Sequence, residues 1–91
     1  MPRRRVTISA LGGAHARPVA ELARLALAHA APVTLATADG AVVDVSSVLA
    51  VMDLGLGEGD EVVLETAESA DAEAVLESMA GVLAPGHATR R

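Results

Sequence analysis

His15 and Arg17 lie two residues apart in Gly13-Ala14-His15-Ala16-Arg17-Pro18, a run that begins on glycine, ends on proline and sets an imidazole at the expected start of a helix. That position suits chemistry on an anion. A helix beginning near Ala16 leaves the backbone N–H groups of Ala16 and Arg17 without intrahelical acceptors, and the aligned peptide dipoles favour negative charge there. Arg17 adds a guanidinium that can hold phosphate oxygens in a two-pronged grip, and Pro18 pre-sets the backbone of the first turn while lacking a donor. A neutral ring nitrogen is the nucleophile that phosphoryl transfer needs.

Other chemistries find less support. His29 lies fourteen residues beyond His15, about 21 Å away along one helix at roughly 1.5 Å per residue, so the two cannot share a metal. His87 sits in a polar tail without a companion ligand set, and there is no cysteine, so no metal is expected. A hydrolase built on His15, Ser47 and Asp53 or Asp44 lacks a nucleophile elbow and an evident oxyanion site. Gly55, Gly57 and Gly59 read as a turning loop, because the Lys-Ser/Thr ending of a phosphate-binding loop is absent.

Composition narrows the field further. With 91 residues, 52% of them hydrophobic, the chain supports one compact domain with a modest core. A chain of that size buries only about 60–65% of its unfolded surface, so chemistry at the surface is the better expectation. The formal net charge of -5 argues against general affinity for nucleic acid and favours a basic or mixed-charge partner. Without Phe, Tyr or Trp there is no platform for base stacking. Val6-Thr7-Ile8-Ser9-Ala10-Leu11 is too short and too alternating for a signal h-region, and no stretch reaches the roughly 18 apolar residues of a membrane span. A cytoplasmic location is the default expectation.

The elements that must hold His15 in place follow from periodicity. Val6, Ile8 and Ala10 alternate with polar residues, which predicts a strand near residues 4–10, and Gly12-Gly13 breaks it. From Ala16 to about His29, Val19, Leu22, Ala23 and Ala26 recur at helical spacing. Val33 to Thr37 reads as a second strand, Asp39-Gly40 as a hairpin supplying positive backbone angles, and Ala41 to Asp44 as a third strand. Ser46 or Ser47 caps a short helix built on Val48-Leu49-Ala50-Val51-Met52. Glu61 to Thr66 forms the fourth strand. Ser69 or Asp71 then caps a last helix with an apolar stripe at Ala72, Val75, Leu76, Met79 and Leu83, with Glu73 and Glu77 on its solvated face. Pro85-Gly86 ends it. The order β-α-β-β-α-β-α predicts an α+β open-faced sandwich, a four-stranded, mainly antiparallel sheet with three helices on one face. Residues 1–85 are expected to form a single domain and 86–91 a short polar C-terminal tail.

In this context Gly13-Ala14-His15-Ala16-Arg17-Pro18 resembles the phosphorylation-site signature of HPr, the histidine-containing phosphocarrier family. Ser47-Val48-Leu49-Ala50-Val51-Met52-Asp53-Leu54-Gly55 is similar to that family's short second helix and its opening serine, and the elements fall in the family's order over nearly the whole chain.

The resemblance implies phosphoryl relay in the phosphoenolpyruvate-dependent sugar phosphotransferase system. Enzyme I would phosphorylate His15 at Nδ1, giving a pros-phosphohistidine, and the group would pass to sugar-specific enzyme IIA proteins. Such a chain is a carrier without a cofactor, not an autonomous enzyme, and a monomer is expected of it. The resemblance further implies stabilisation of the phosphoryl group by Arg17 and the backbone of Ala16 and Arg17. Partners would dock on Val48, Leu49, Val51 and Met52 together with Val19 and Ala20. Ser47 corresponds to a serine that a kinase phosphorylates in some family members, though Ser is also a preferred helix cap. The alternative function is accordingly a regulatory interaction module that signals through Ser47 phosphorylation or through direct binding to regulators, with a serine kinase or phosphatase and transcriptional regulators as partners.

Overall fold

In a computed structural model, which describes residues 1–10, 13 and 15–85, seven elements follow one another. They are β1 (Arg3–Thr7), α1 (Ala16–Ala28), β2 (Val33–Thr37), β3 (Val42–Asp44), α2 (Val48–Met52), β4 (Glu61–Thr66) and α3 (Ala72–Leu83). The sheet order is β1-β4-β2-β3. Each neighbouring pair is antiparallel, so the sheet is antiparallel throughout and not merely in the main. Inserting β4 between β1 and β2 splits what would otherwise be a parallel β1-α1-β2 unit.

Alternation decides which face is covered. On β4, Val62, Leu64 and Thr66 are buried, while Glu61, Val63 and Glu65 point to the open face. Val33 and Leu35 of β2 are likewise buried. Against them pack Val19 and Leu22 of α1, Val51 of α2, and Leu76, Met79 and Leu83 of α3. The core therefore consists of aliphatic side chains and one methionine. Among the described residues, Thr66 is the polar residue admitted to it, at 1% exposure, and its Oγ1 donates to the Pro32 carbonyl at 2.8 Å. That bond removes the cost of burying a hydroxyl.

Several boundaries differ from the expectation, each for a local reason. The alternation over residues 4–10 survives as burial, with Ile8 and Ala10 inside, but the pairing of β1 with β4 ends at Thr7. Beyond it the Ile8 N–H donates to Asp60 O, and the Ser9 and Ala10 N–H groups both donate to Leu83 O at the end of α3. The chain has left the sheet for a turn and a helix end. In the hairpin only Gly40 takes a positive φ, 99°; Asp39 does not. The Gly40 N–H donates to Thr37 O and the Thr37 N–H to Ala41 O, so the loop is a three-residue reversal closed by glycine, and β3 starts at Val42 instead of Ala41.

At the start of α3, Asp71 occupies the cap position without a side-chain bond, and the Ser69 carbonyl accepts from Ala72 N–H. Glu73 and Glu77 are not simply solvated. Arg4 on the edge strand β1 reaches across to both, with its NH2 group 3.2 Å from Glu73 Oε1 and its NH1 group bonded to Glu77 Oε1. These bonds, that to Glu77 foremost, raise the Arg4 pKa further. The predicted tail, 86–91, lies outside the described residues.

Candidate functional site

The sequence that ends β1 also aims the following loop. The Gly13 N–H donates to Ala10 O at 2.8 Å, and the Gly13 carbonyl accepts from His15 N–H at 3.0 Å. Gly13 is buried with φ +77°. A Cβ there would sit 2.7 Å from both Gly57 Cα and Leu56 O, so the backbone of the glycine-rich loop presses directly on it. That loop is latched in turn. Asp60 Oδ2 accepts from Gly57 N–H at 2.9 Å, and the Asp60 N–H returns to Gly57 O at 3.1 Å.

His15 is thereby placed at the N-cap of α1, in extended conformation (φ -87°, ψ -172°), with its side chain exposed and not used as a cap. Its carbonyl accepts the first helical bond, from Val19 N–H at 3.1 Å. Ala16 and Arg17 are then the first two helical residues, whose N–H groups have no intrahelical acceptor. Pro18, third in the helix, brings no donor. The first turn of α1 contains no acidic residue to offset the positive helix end. Beside it lies an open groove of about 410 Å³ lined by His15, Arg17, Pro18 and Glu21 from α1, and by Ala10, Val82 and Pro85. An exposed imidazole and a guanidinium thus line one groove beside the start of α1, an arrangement able to hold an oxyanion.

The expected docking residues divide. Val48, Leu49 and Met52 are 37%, 74% and 38% exposed, and Ala20 is also exposed. Val51 and Val19 are fully buried and belong to the core. On a helix of only five residues, one face must anchor it to the sheet, and Val51 is that anchor. Ser47 is the N-cap of α2, its Oγ accepting from Ala50 N–H at 3.2 Å. Ser46 serves another turn, donating both its hydroxyl, at 2.7 Å, and its N–H, at 2.8 Å, to Asp44 Oδ1. Those bonds, the hydroxyl's first, hold the Asp44 carboxyl below the usual carboxylate range.

Among the described residues no three His, Asp or Glu side chains converge as metal ligands, and no helix is long and apolar enough to cross a membrane. Sequence reasoning did not find the Gly13–Gly57 contact, the Asp60 latch or the contribution of Val82 and Pro85. The spaced glycines at 55, 57 and 59 carried a partial signal, since a chain that must approach another backbone closely favours glycine.

Comparison with known proteins bears on the whole domain. Residues 2–84 match a family model described as the PTS HPr component phosphorylation site. The phosphocarrier protein HPr of Streptomyces coelicolor is 44% identical over 86 residues, covering 94% of this chain and 91% of that protein. The crystal structure of a phosphocarrier protein HPr from Bacillus anthracis superposes with a TM-score of 0.80 at 32% identity, covering 90% of this chain and 95% of that one. An HPr structure from Thermoanaerobacter tengcongensis, 24% identical, shares the fold with a TM-score of 0.79 over 91% of each chain.

Proposed function

Because the chain belongs to the HPr phosphocarrier family of the phosphotransferase system, we propose that it accepts a phosphoryl group on His15 from enzyme I and delivers it to enzyme IIA proteins during sugar uptake. The observation that carries this reading is His15 at the N-cap of α1, exposed, with Arg17 lining the same groove. The neutral ring attacks phosphorus through the Nδ1 lone pair. The bond from phosphorus to the donor breaks, and the donor departs with that electron pair. The Ala16 and Arg17 N–H groups and the Arg17 guanidinium then face the charge on the phosphoryl oxygens, the geometry that favours transfer. No cofactor takes part.

Residues 1–85 act as one monomeric domain in the cytoplasm, where the partners dock on Val48, Leu49 and Met52 together with Ala20. The transfer steps are catalysed jointly with those partners, so the chain is a carrier and not an enzyme by itself. Ser47 is read as a helix cap, since its Oγ already accepts the Ala50 N–H.

Incubation with a cognate enzyme I, Mg²⁺ and phosphoenolpyruvate should give an acid-labile phosphohistidine, with label abolished in His15→Ala. Label that persists in that variant, or its absence from the wild-type chain, refutes the proposal. An acid-stable phosphate on Ser47 formed by an ATP-dependent kinase would instead support the regulatory reading.

A further inference from the structure

Arg17 differs from the other arginines placed in the fold. Arg3, Arg4, Arg5 and Arg24 each lie within 4.0 Å of a carboxylate, whereas among the described residues Arg17 has no carboxylate partner. An acid is nevertheless within reach. Glu21 stands one helical turn beyond Arg17 and lines the same groove as His15 and Arg17. Two guanidinium groups on one helix therefore compete for one carboxylate, and Arg24 holds it.

Arg24 donates from Nε to Glu21 Oε1 at 3.1 Å and from its NH2 group to Oε2, so both carboxylate oxygens are engaged. Orientation favours this outcome. An acid placed N-terminal to its cation makes the better helical pair, which is the order Glu21-Arg24, while Arg17-Glu21 runs the other way. The two-pronged geometry adds to the preference. In agreement, the Arg24 hydrogen bonds hold the Glu21 carboxyl below its ordinary range.

We propose that Arg24 is a positioning residue for the phosphoryl site, one that occupies Glu21 and so keeps the Arg17 guanidinium available to the phosphoryl group. The inference rests on His15 as the acceptor. Without Arg24, Glu21 would pair with Arg17 for part of the time and would place an uncompensated negative charge beside an incoming phosphoryl group. Exposed helical pairs are weak, so the expected effect is about two- to threefold in rate.

The test measures transfer from phosphorylated enzyme I, with kcat and KM separated, together with the spontaneous hydrolysis of the phosphohistidine, which involves no partner. Arg24→Ala should lower kcat for phosphorylation about two- to threefold and change the hydrolysis rate in parallel. Arg24→Lys should lie between the two, and the double variant Arg24→Ala/Glu21→Gln should return to the wild-type values. Glu21→Gln alone should not fall below wild type. An Arg24→Ala protein indistinguishable from wild type overturns the inference. So does a double variant as slow as Arg24→Ala, which would mean that Arg24 contacts enzyme I directly. Failure to label His15 in the wild-type chain overturns the parent reading, while either of the other results leaves that reading standing.

Discussion

Gly13→Ala tests how the His15 loop is held. Two penalties add at that position. At φ +77° a side chain occupies the left-handed region, which costs roughly 1–2 kcal/mol for a residue with a Cβ. The new methyl would also lie 2.7 Å from Gly57 Cα and from Leu56 O, both backbone atoms that cannot rotate aside. Overpacking of that kind costs about 1–3 kcal/mol. The total, about 2–5 kcal/mol, is a large share of the stability of a small domain. Some of it can be relieved if the loop lifts off Gly57, but relief by that route displaces His15, whose N–H bonds to Gly13 O.

Urea denaturation and phosphorylation by enzyme I therefore belong in one experiment, since stability and transfer rate share the loss between them. Gly57→Ala is the control: a Cβ there meets nothing within 4 Å and its φ is not in the left-handed region. Its cost should stay within about 0.5 kcal/mol. The reasoning is refuted if Gly13→Ala unfolds and accepts phosphate like the wild type, or if Gly57→Ala is equally harmful.

Further outcomes follow from single contacts. Thr66→Val keeps the shape but removes the donor to Pro32 O, so unfolding free energy should fall by about 1–2 kcal/mol with an unchanged urea slope; no loss would show that the bond contributes nothing. Ser47→Ala should cost about 1 kcal/mol through the lost cap on Ala50 N–H, and Ser47→Asp should recover most of it because aspartate also caps. Asp44 titrates below its usual value in the folded chain, so its contribution is fully present above the unfolded carboxylate value, about 3.9, and is lost as pH falls through the lower folded value. Wild-type stability should consequently fall more steeply than that of Asp44→Asn as the pH drops below about 4. Parallel acid limbs would contradict this.

Local rules made much of the fold legible. β2 and β4 lie where alternation placed them, and α1 ends one residue before the predicted limit at His29. β1 was overextended because the same alternation continues past Thr7 while the partner changes from a strand to a turn and a helix end. Periodicity reports burial, not pairing. His15 and Arg17 could be singled out together as candidates because they are neighbours on one chain segment. The Gly13–Gly57 approach and the reach of Arg4 to Glu73 and Glu77 join distant segments, and no local pattern encodes which surfaces will meet. Val51 could not be told from Val48 for a related reason: all five residues of α2 are apolar, so the face that anchors it depends on where the sheet lies.

The Leu83 carbonyl, which accepts from both Ser9 and Ala10 N–H, has a consequence for motion. Both lone pairs of one helix-end oxygen are filled by consecutive amides of the segment that leads to Gly13. Fraying the last turn of α3 releases the two amides together. Their hydrogen-exchange protection is then set by the opening of a helix terminus and not by global unfolding. The approach to the His15 loop is thereby tied to the last turn of α3.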